Sequence, residues 1–290
     1  MSAEPLSTLS TTPAPPAPPS IARGLPWDLY RRQVAAILGL EVRKGFFGKR
    51  ALGVYFLALM PVTILALRAI VSRAFGSHSD PVEVARTFAI SFQTFFLRLV
   101  IFFGCVEVFG NLIRREMLER TLHYYFLSPV RREVLAAAKY LTGLLVSFTL
   151  FGGATIASFF FAYLPCGLGA FFHDFGQLLA YVGVAFLACL GYGAVFLTFG
   201  FFYKSPAIPA VIVFGWEAIN FLLPPFLKKI SMIHYLESLC PVSVPLGPFA
   251  IPADAPSPWV AIPGIFLLTA VLLAISARKI RQLEISYEED

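Results

Sequence analysis

Apolar residues dominate this chain in long unbroken runs. Six of them, at about residues 51–71, 87–113, 141–163, 178–202, 207–227 and 259–277, approach the roughly 20 residues that cross a hydrocarbon core of about 30 Å as a helix. Pro61, Gly152, Gly153, Gly191, Gly193 and Pro209 interrupt these runs. Membrane helices tolerate such residues because neighbouring helices satisfy freed backbone groups, and glycine lets helices approach closely. Ahead of the first run, residues 26–47 change pattern. Trp27, Tyr30, Val34, Ile37, Leu38 and Val42 recur every three or four positions, with Asp28, Arg31, Arg32, Glu41, Arg43 and Lys44 between them. That periodicity predicts an amphipathic helix, and the span that follows favours one lying in the membrane interface over one packed on protein. Residues 1–25 hold Pro5, Pro13, Pro15, Pro16, Pro18 and Pro19 among small polar residues, the composition of a disordered tail. They lack the basic start and apolar stretch of a secretory signal, which leaves the first span as the targeting signal. The pattern as a whole predicts an all-α polytopic membrane protein: an N-terminal interfacial amphipathic helix, a six-span domain over residues 48–280, and an acidic tail over 281–290.

Composition strengthens this reading. The chain is 58% hydrophobic and 14% charged, with mean hydropathy +0.75, against about 25% charged residues in soluble domains. The net charge of +6 comes from short basic clusters between apolar runs, a topology signal rather than a nucleic-acid surface. Seventeen Lys and Arg precede the first span, surround the loop after the second, stand at Lys204, or follow the last span. Only Arg73, Arg86, Lys228 and Lys229 fall on the other face. The positive-inside rule then puts both termini and the 114–139 loop in the cytoplasm, with 164–177 and 224–258 outside, for a multi-pass protein of the inner (cytoplasmic) membrane.

Candidate chemistry is sparse. His78, His123, His173 and His234 occupy four separate connecting segments and there is no CxxC, which predicts no metal site. Cys105 and Cys189 read as small buried hydrophobes. Cys166 and Cys240 fall on the expected outer face, where a disulfide is permitted. Around Gly48-Lys49, Arg43 stands where a P-loop has its first glycine and Arg50 where it has Ser or Thr, so the chain is expected to bind no ATP by that motif and to need no cofactor of its own.

The loop from Arg114 to Lys139 reads RREMLERTLHYYFLSPVRREVLAAAK. Met117, Leu118, Leu122, Tyr124, Tyr125, Phe126 and Leu127 are crowded between charged ends, and Ser128-Pro129 breaks the segment. It predicts a short amphipathic helix, a turn, and a second helix start that continues into the third span. Such side chains rest on the membrane or on a partner, and composition does not choose between them. Arg115-Glu116, Glu119-Arg120-Thr121-Leu122, Leu127-Ser128-Pro129-Val130, Arg132-Glu133 and Lys139 resemble the loop signature of permease subunits of type-2 ABC transporters. The resemblance extends over most of the chain after Leu25. It implies a permease without its own ATPase, an ABC ATPase subunit that binds the ATP, a second permease half, and transport in the direction of export. It also makes residues 115–129 a coupling helix. Glu119, Arg120, Thr121 and Leu122 would dock on the ATPase, Tyr125 would be a further apolar anchor, and Ser128 and Pro129 would set the angle to the third span. Residues 224–258 carry eight prolines in a mostly apolar setting and suggest short re-entrant or interfacial helices, which the resemblance places over the outer end of the path.

Polar groups inside spans are costly and mark candidate sites. Arg68 lies close enough to a span end to snorkel. Glu107 is about 9 Å from the inner end, within reach of cytoplasmic water or Lys204. Arg98 and Glu217 both lie about 16 Å deep, near the midplane, and are expected to pair, with Asn220 one turn on as a second donor to the carboxylate. By the resemblance this pair would face the central cavity; a structural pair away from any path fits the residues equally. Two other classes stay open on residues alone. One is an ion-coupled secondary transporter using Arg98, Glu107 and Glu217, and the other is a membrane-anchored structural subunit.

Overall fold

The computed structural model describes residues 51–75, 80–110, 112, 132–203, 205–244 and 255–282, together with Ala35, Leu38, Gly39, Val42, Gly45, Phe46 and Gly48. Every regular element among them is helical. Helix α1 is Ala51–Ala74. Helix α2, Pro81–Ser91, opens on an Asp80 side chain that accepts from the Val82 N–H, with Pro81 at the position where a missing N–H does no harm. That start lies six residues ahead of the expected 87, because it is set by a capping signal and not by hydropathy. The same rod continues as a π-helical segment, Phe92–Ile101, and as α3, Phe102–Gly110.

Helix α4, Arg132–Tyr163, has 32 residues. At 1.5 Å per residue it is about 48 Å long, well beyond a core of about 30 Å. The expected span at 141 is only its apolar part, because the good helix formers Leu135, Ala136, Ala137, Ala138 and Lys139 carry the helix past the hydrocarbon boundary. Gly167, at φ 92, turns the chain into the short α5, Leu168–His173. Helix α6 follows, Phe175–Phe202, and the Tyr163 hydroxyl donates to Asp174 Oδ2 across this turn at 2.8 Å.

The expected fifth span does not form as one helix. Helix α7, Ala207–Ala218, gives way to a 3-10 turn at Ile219–Leu222, then α8, Pro225–Lys228, and α9, Met232–Ser238. Pro225 supplies no N–H and Leu223 and Pro224 precede prolines, which disfavours continued α geometry. The chain closes with α10, Pro258–Gln282. Among the described residues, five rods are thus long and apolar enough to cross a membrane: α1, α2 through α3, α4, α6 and α10.

Helix α6 is the centre of the bundle, packed against α3, α4 and α10, while α1 packs on α4. Small residues make this approach possible. The Phe109 ring is wedged between Gly143 and Gly193, where an added Cβ at either glycine would come within 2.6 Å of it. Further along, Phe88 meets Phe159 and Tyr181 edge to face at 5.0 Å each. Leu52, Phe56 and Leu67 on α1 and Trp259 and Leu267 on α10 are exposed, as expected of helix faces turned to lipid. No disulfide joins Cys166 and Cys240.

Candidate functional site

The site is built where the rod α2–π–α3 meets the broken segment α7–α9. Arg98 belongs to the π segment and lies twelve residues before the end of α3 at Gly110. Glu217 is ten residues into α7, about 15 Å along it. Met232 at the start of α9 packs on Gly191, near the middle of α6. All three lie near mid-depth of the bundle.

The breaks in secondary structure create the polar groups that the site satisfies. A helix leaves its last carbonyls and first N–H groups without intrahelical partners. At the C-terminal end of α7, the Glu217 carbonyl accepts from Arg98 Nη1 at 3.2 Å. At the start of α9, the Glu217 carboxylate accepts from Met232 N at 3.0 Å, Ile233 N at 3.1 Å and the Ser231 hydroxyl at 2.6 Å. Glu217 is buried, and those donors replace the water it has lost. Its side chain fastens α7 to α9 across the intervening turn and α8.

The expected Arg98–Glu217 ion pair is therefore corrected. The carboxylate on Arg98 is Glu237, whose Oε1 accepts from Nη2 at 2.6 Å and from Nε at 3.2 Å. Glu217 meets Arg98 through its backbone carbonyl, since its carboxylate is taken up at the start of α9. Asn220 is not among that carboxylate's donors. It is buried in the 3-10 turn, and its Oδ1 has no hydrogen-bond partner among the described residues. Glu237 is hidden from the sequence because the prolines around it read as an outer loop, whereas the chain brings α9 back to mid-depth. The available signal was an acidic residue inside the apolar stretch from Ile230 to Cys240.

Several neighbours complete the site. Gln93, also in the π segment, donates to the Val242 carbonyl at 2.7 Å. Tyr192 on α6 is fully buried, lies within electrostatic range of Arg98, Glu217 and Glu237, and has a hydroxyl with no partner among the described residues. Lys228, buried on α8, adds positive potential at Glu237. Glu107 is half-buried on α3 and is engaged; Lys204, its expected contact, lies outside the described residues. Arg68 lies within electrostatic range of Cys166, at the end of the bundle where α4 gives way to α5. The coupling-loop residues Glu119, Arg120, Thr121, Leu122, Tyr125, Ser128 and Pro129 also lie outside the described residues, as do residues 1–25, most of the amphipathic stretch 26–47 and the tail after 282. At the edge of that stretch, the Tyr55 hydroxyl donates to the Phe46 carbonyl at 3.2 Å.

Residues 46–217, more than half of the chain, match the family model of ABC-2 family transporter proteins. The chain belongs to that family. No curated protein matches it. Membership makes this a multi-pass membrane permease of an ABC transporter and implies association with an ABC ATPase. The matched region begins five residues before α1 and ends at Glu217. It includes Arg98 and excludes Glu237, so this ABC-2 permease joins a residue of the matched region to a segment beyond it.

Proposed function

We propose that this ABC-2 permease is one half of an exporter driven by ATP hydrolysis in a separate subunit. It sits in the cytoplasmic membrane with both termini and the 114–139 loop on the cytoplasmic face. The observation that carries the reading is the family match over residues 46–217. The basic clusters agree, since they gather where α1, α4 and α7 begin and where α3, α6 and α10 end. The length of α4 supports a mechanical role for the same end. Its first nine residues, Arg132–Tyr140, run for about 14 Å before the apolar part begins at 141, a rigid extension at the end next to Ser128 and Pro129.

In this reading residues 115–129 dock on the ATPase through Glu119, Arg120, Thr121, Leu122 and Tyr125. Ser128 and Pro129 set the angle at which the stroke enters α4. A second permease half closes the path, and Arg98, Glu107, Glu217 and Asn220 are the polar groups beside it. Co-expression with an ABC ATPase and reconstitution in liposomes tests the assignment. The permease should stimulate ATP hydrolysis, and a Leu122→Asp/Tyr125→Asp variant should insert normally but lose that stimulation, because apolar anchors are exchanged for charges that must be desolvated. An ATPase unaffected by the double variant rejects the coupling role. For topology, Ser128→Cys and Ser257→Cys in a background without native cysteines should differ, with only the second labelled by an impermeant reagent in intact cells.

A further inference from the structure

The Arg98–Glu237 pair lies near mid-depth, yet its two side chains keep 19% and 17% of their surface exposed. Charged groups open to hydrocarbon at that depth are costly, so an open edge there faces water, a ligand or a partner's polar surface. A guanidinium carries five N–H groups, and Glu237 and Glu217 engage three of them. Tyr192 Oη and Asn220 Oδ1, in residues only 1% and 3% exposed, have no hydrogen-bond partner among the described residues. Polar capacity at this level therefore exceeds what the described chain itself uses.

The two carboxylates are held very differently. Glu217 accepts from two backbone N–H groups and a hydroxyl. Glu237 hydrogen-bonds to the Arg98 side chain and lies in the field of Lys228. The Arg98–Glu237 pair can therefore open while Glu217 still holds the start of α9, and the Lys228 field remains at Glu237 when it does. The segment that presents Arg98 also presents Phe92, Phe95 and Phe96, which with Pro61 and Ile64 of α1 line an apolar cavity of about 120 Å³. A charged receptor and an apolar receptor thus share one ten-residue segment.

We propose that Arg98 receives the anionic head group of an amphiphilic substrate, and that Glu237 is the internal carboxylate this head group displaces. The proposal deepens the transport reading and rests on it. The head group takes over the hydrogen bonds of Arg98 and brings one further anion to the site, while the displaced Glu237 carboxylate stays in the field of Lys228 and can return when the head group leaves, which keeps the step reversible.

The test uses full-length permease in detergent without its ATPase, so an uncoupled ATPase and an absent head-group site give different results. Three pyrene-labelled probes share one alkyl chain and end in a phosphate monoester, a phosphocholine or a trimethylammonium group. The phosphate probe should bind the wild type at least tenfold more tightly than the trimethylammonium probe. Glu237→Gln should tighten phosphate-probe binding several-fold, because the competing charge is gone. Arg98→Gln/Glu237→Gln leaves neither charge of the pair and therefore strands none; it should fold and lose the preference among the three probes. Inorganic phosphate in excess should leave the bound probe in place, since it lacks the chain. Equal binding of all three probes, unchanged or weaker phosphate binding in Glu237→Gln, retained preference in the neutral double variant, or displacement by inorganic phosphate would each overturn the proposal.

Discussion

Helices α6 and α10 are about equally apolar, yet most of α6 is buried inside the protein and most of α10 is not. Apolarity takes a helix into the membrane; it does not say whether its neighbours will be protein or lipid. The difference lies in small residues and ring placement. Gly191 and Gly193 on α6 admit Met232 and Phe109 against the backbone, whereas Gly264 on α10 has nothing within 4 Å of an added Cβ. Tyr181 and Tyr192 on α6 pack against Phe88 and Phe102. On α10, Trp259, Leu267 and Val271 are exposed. In lipid there is little hydrophobic drive between helices, so close van der Waals fit decides which of them becomes the centre.

Helix α9 lies between the two, with Met232 packed on Gly191 of α6 near Ile265 of α10. The largest effect is therefore expected at the group that holds α9. Glu217→Ala orphans three donors and should cost about 3 kcal/mol, at roughly 1 kcal/mol for each group left unpaired. Glu217→Gln retains an accepting oxygen and should recover part of this, read as the unfolding midpoint in detergent. A cost for Glu217→Ala below that of Thr198→Val would break the view of α9 as a pinned wedge.

A smaller effect separates the helices directly. Gly193→Leu forces a side chain into the Phe109 ring and should destabilise by about 1–3 kcal/mol. Gly264→Leu on α10 meets open space and should stay within about 0.5 kcal/mol of the wild type. Equal costs at the two sites would mean that α6 and α10 have similar surroundings in the assembled transporter.

The smallest effect concerns the contact between them. Thr198 Oγ1 donates to the Ala194 carbonyl of its own helix at 2.7 Å, which leaves it to accept from the Ser276 hydroxyl of α10 at 3.0 Å. Interhelical hydrogen bonds of this kind average about 0.6 kcal/mol and reach about 1.7. Thr198→Val should fall in that range, and a double-mutant cycle with Ser276→Ala should show coupling between the two positions. Leu267→Ala, on the exposed face of α10, is the control and should shift stability by less than about 0.5 kcal/mol.

The candidate site was legible in one half. Arg98 and Glu217 stand out in any reading because a charge inside an apolar run is rare and costly, and counting residues from the span ends put both near mid-depth. Their partners were not legible. Glu237 lies 139 positions from Arg98, in a segment whose prolines suggest an outer loop, and no local pattern records that the chain returns inward there. The π geometry around Arg98 was equally hidden, since Phe92–Ile101 has the apolar composition of any spanning helix.

What the sequence determined by itself is the class of protein, the approximate places where helices cross, the asymmetry of basic charge between the two ends, and the family signature in the loop after the second span. These follow from transfer free energies and charge counts that belong to each residue or to short windows of residues. The tertiary structure decided which helix stands at the centre, where the fifth apolar run breaks, and which carboxylate meets Arg98. Those outcomes depend on fit and on hydrogen-bond partners brought together from distant parts of the chain. A buried charge or an orphaned backbone group must find a partner, but its own sequence neighbourhood does not say which partner the fold will bring.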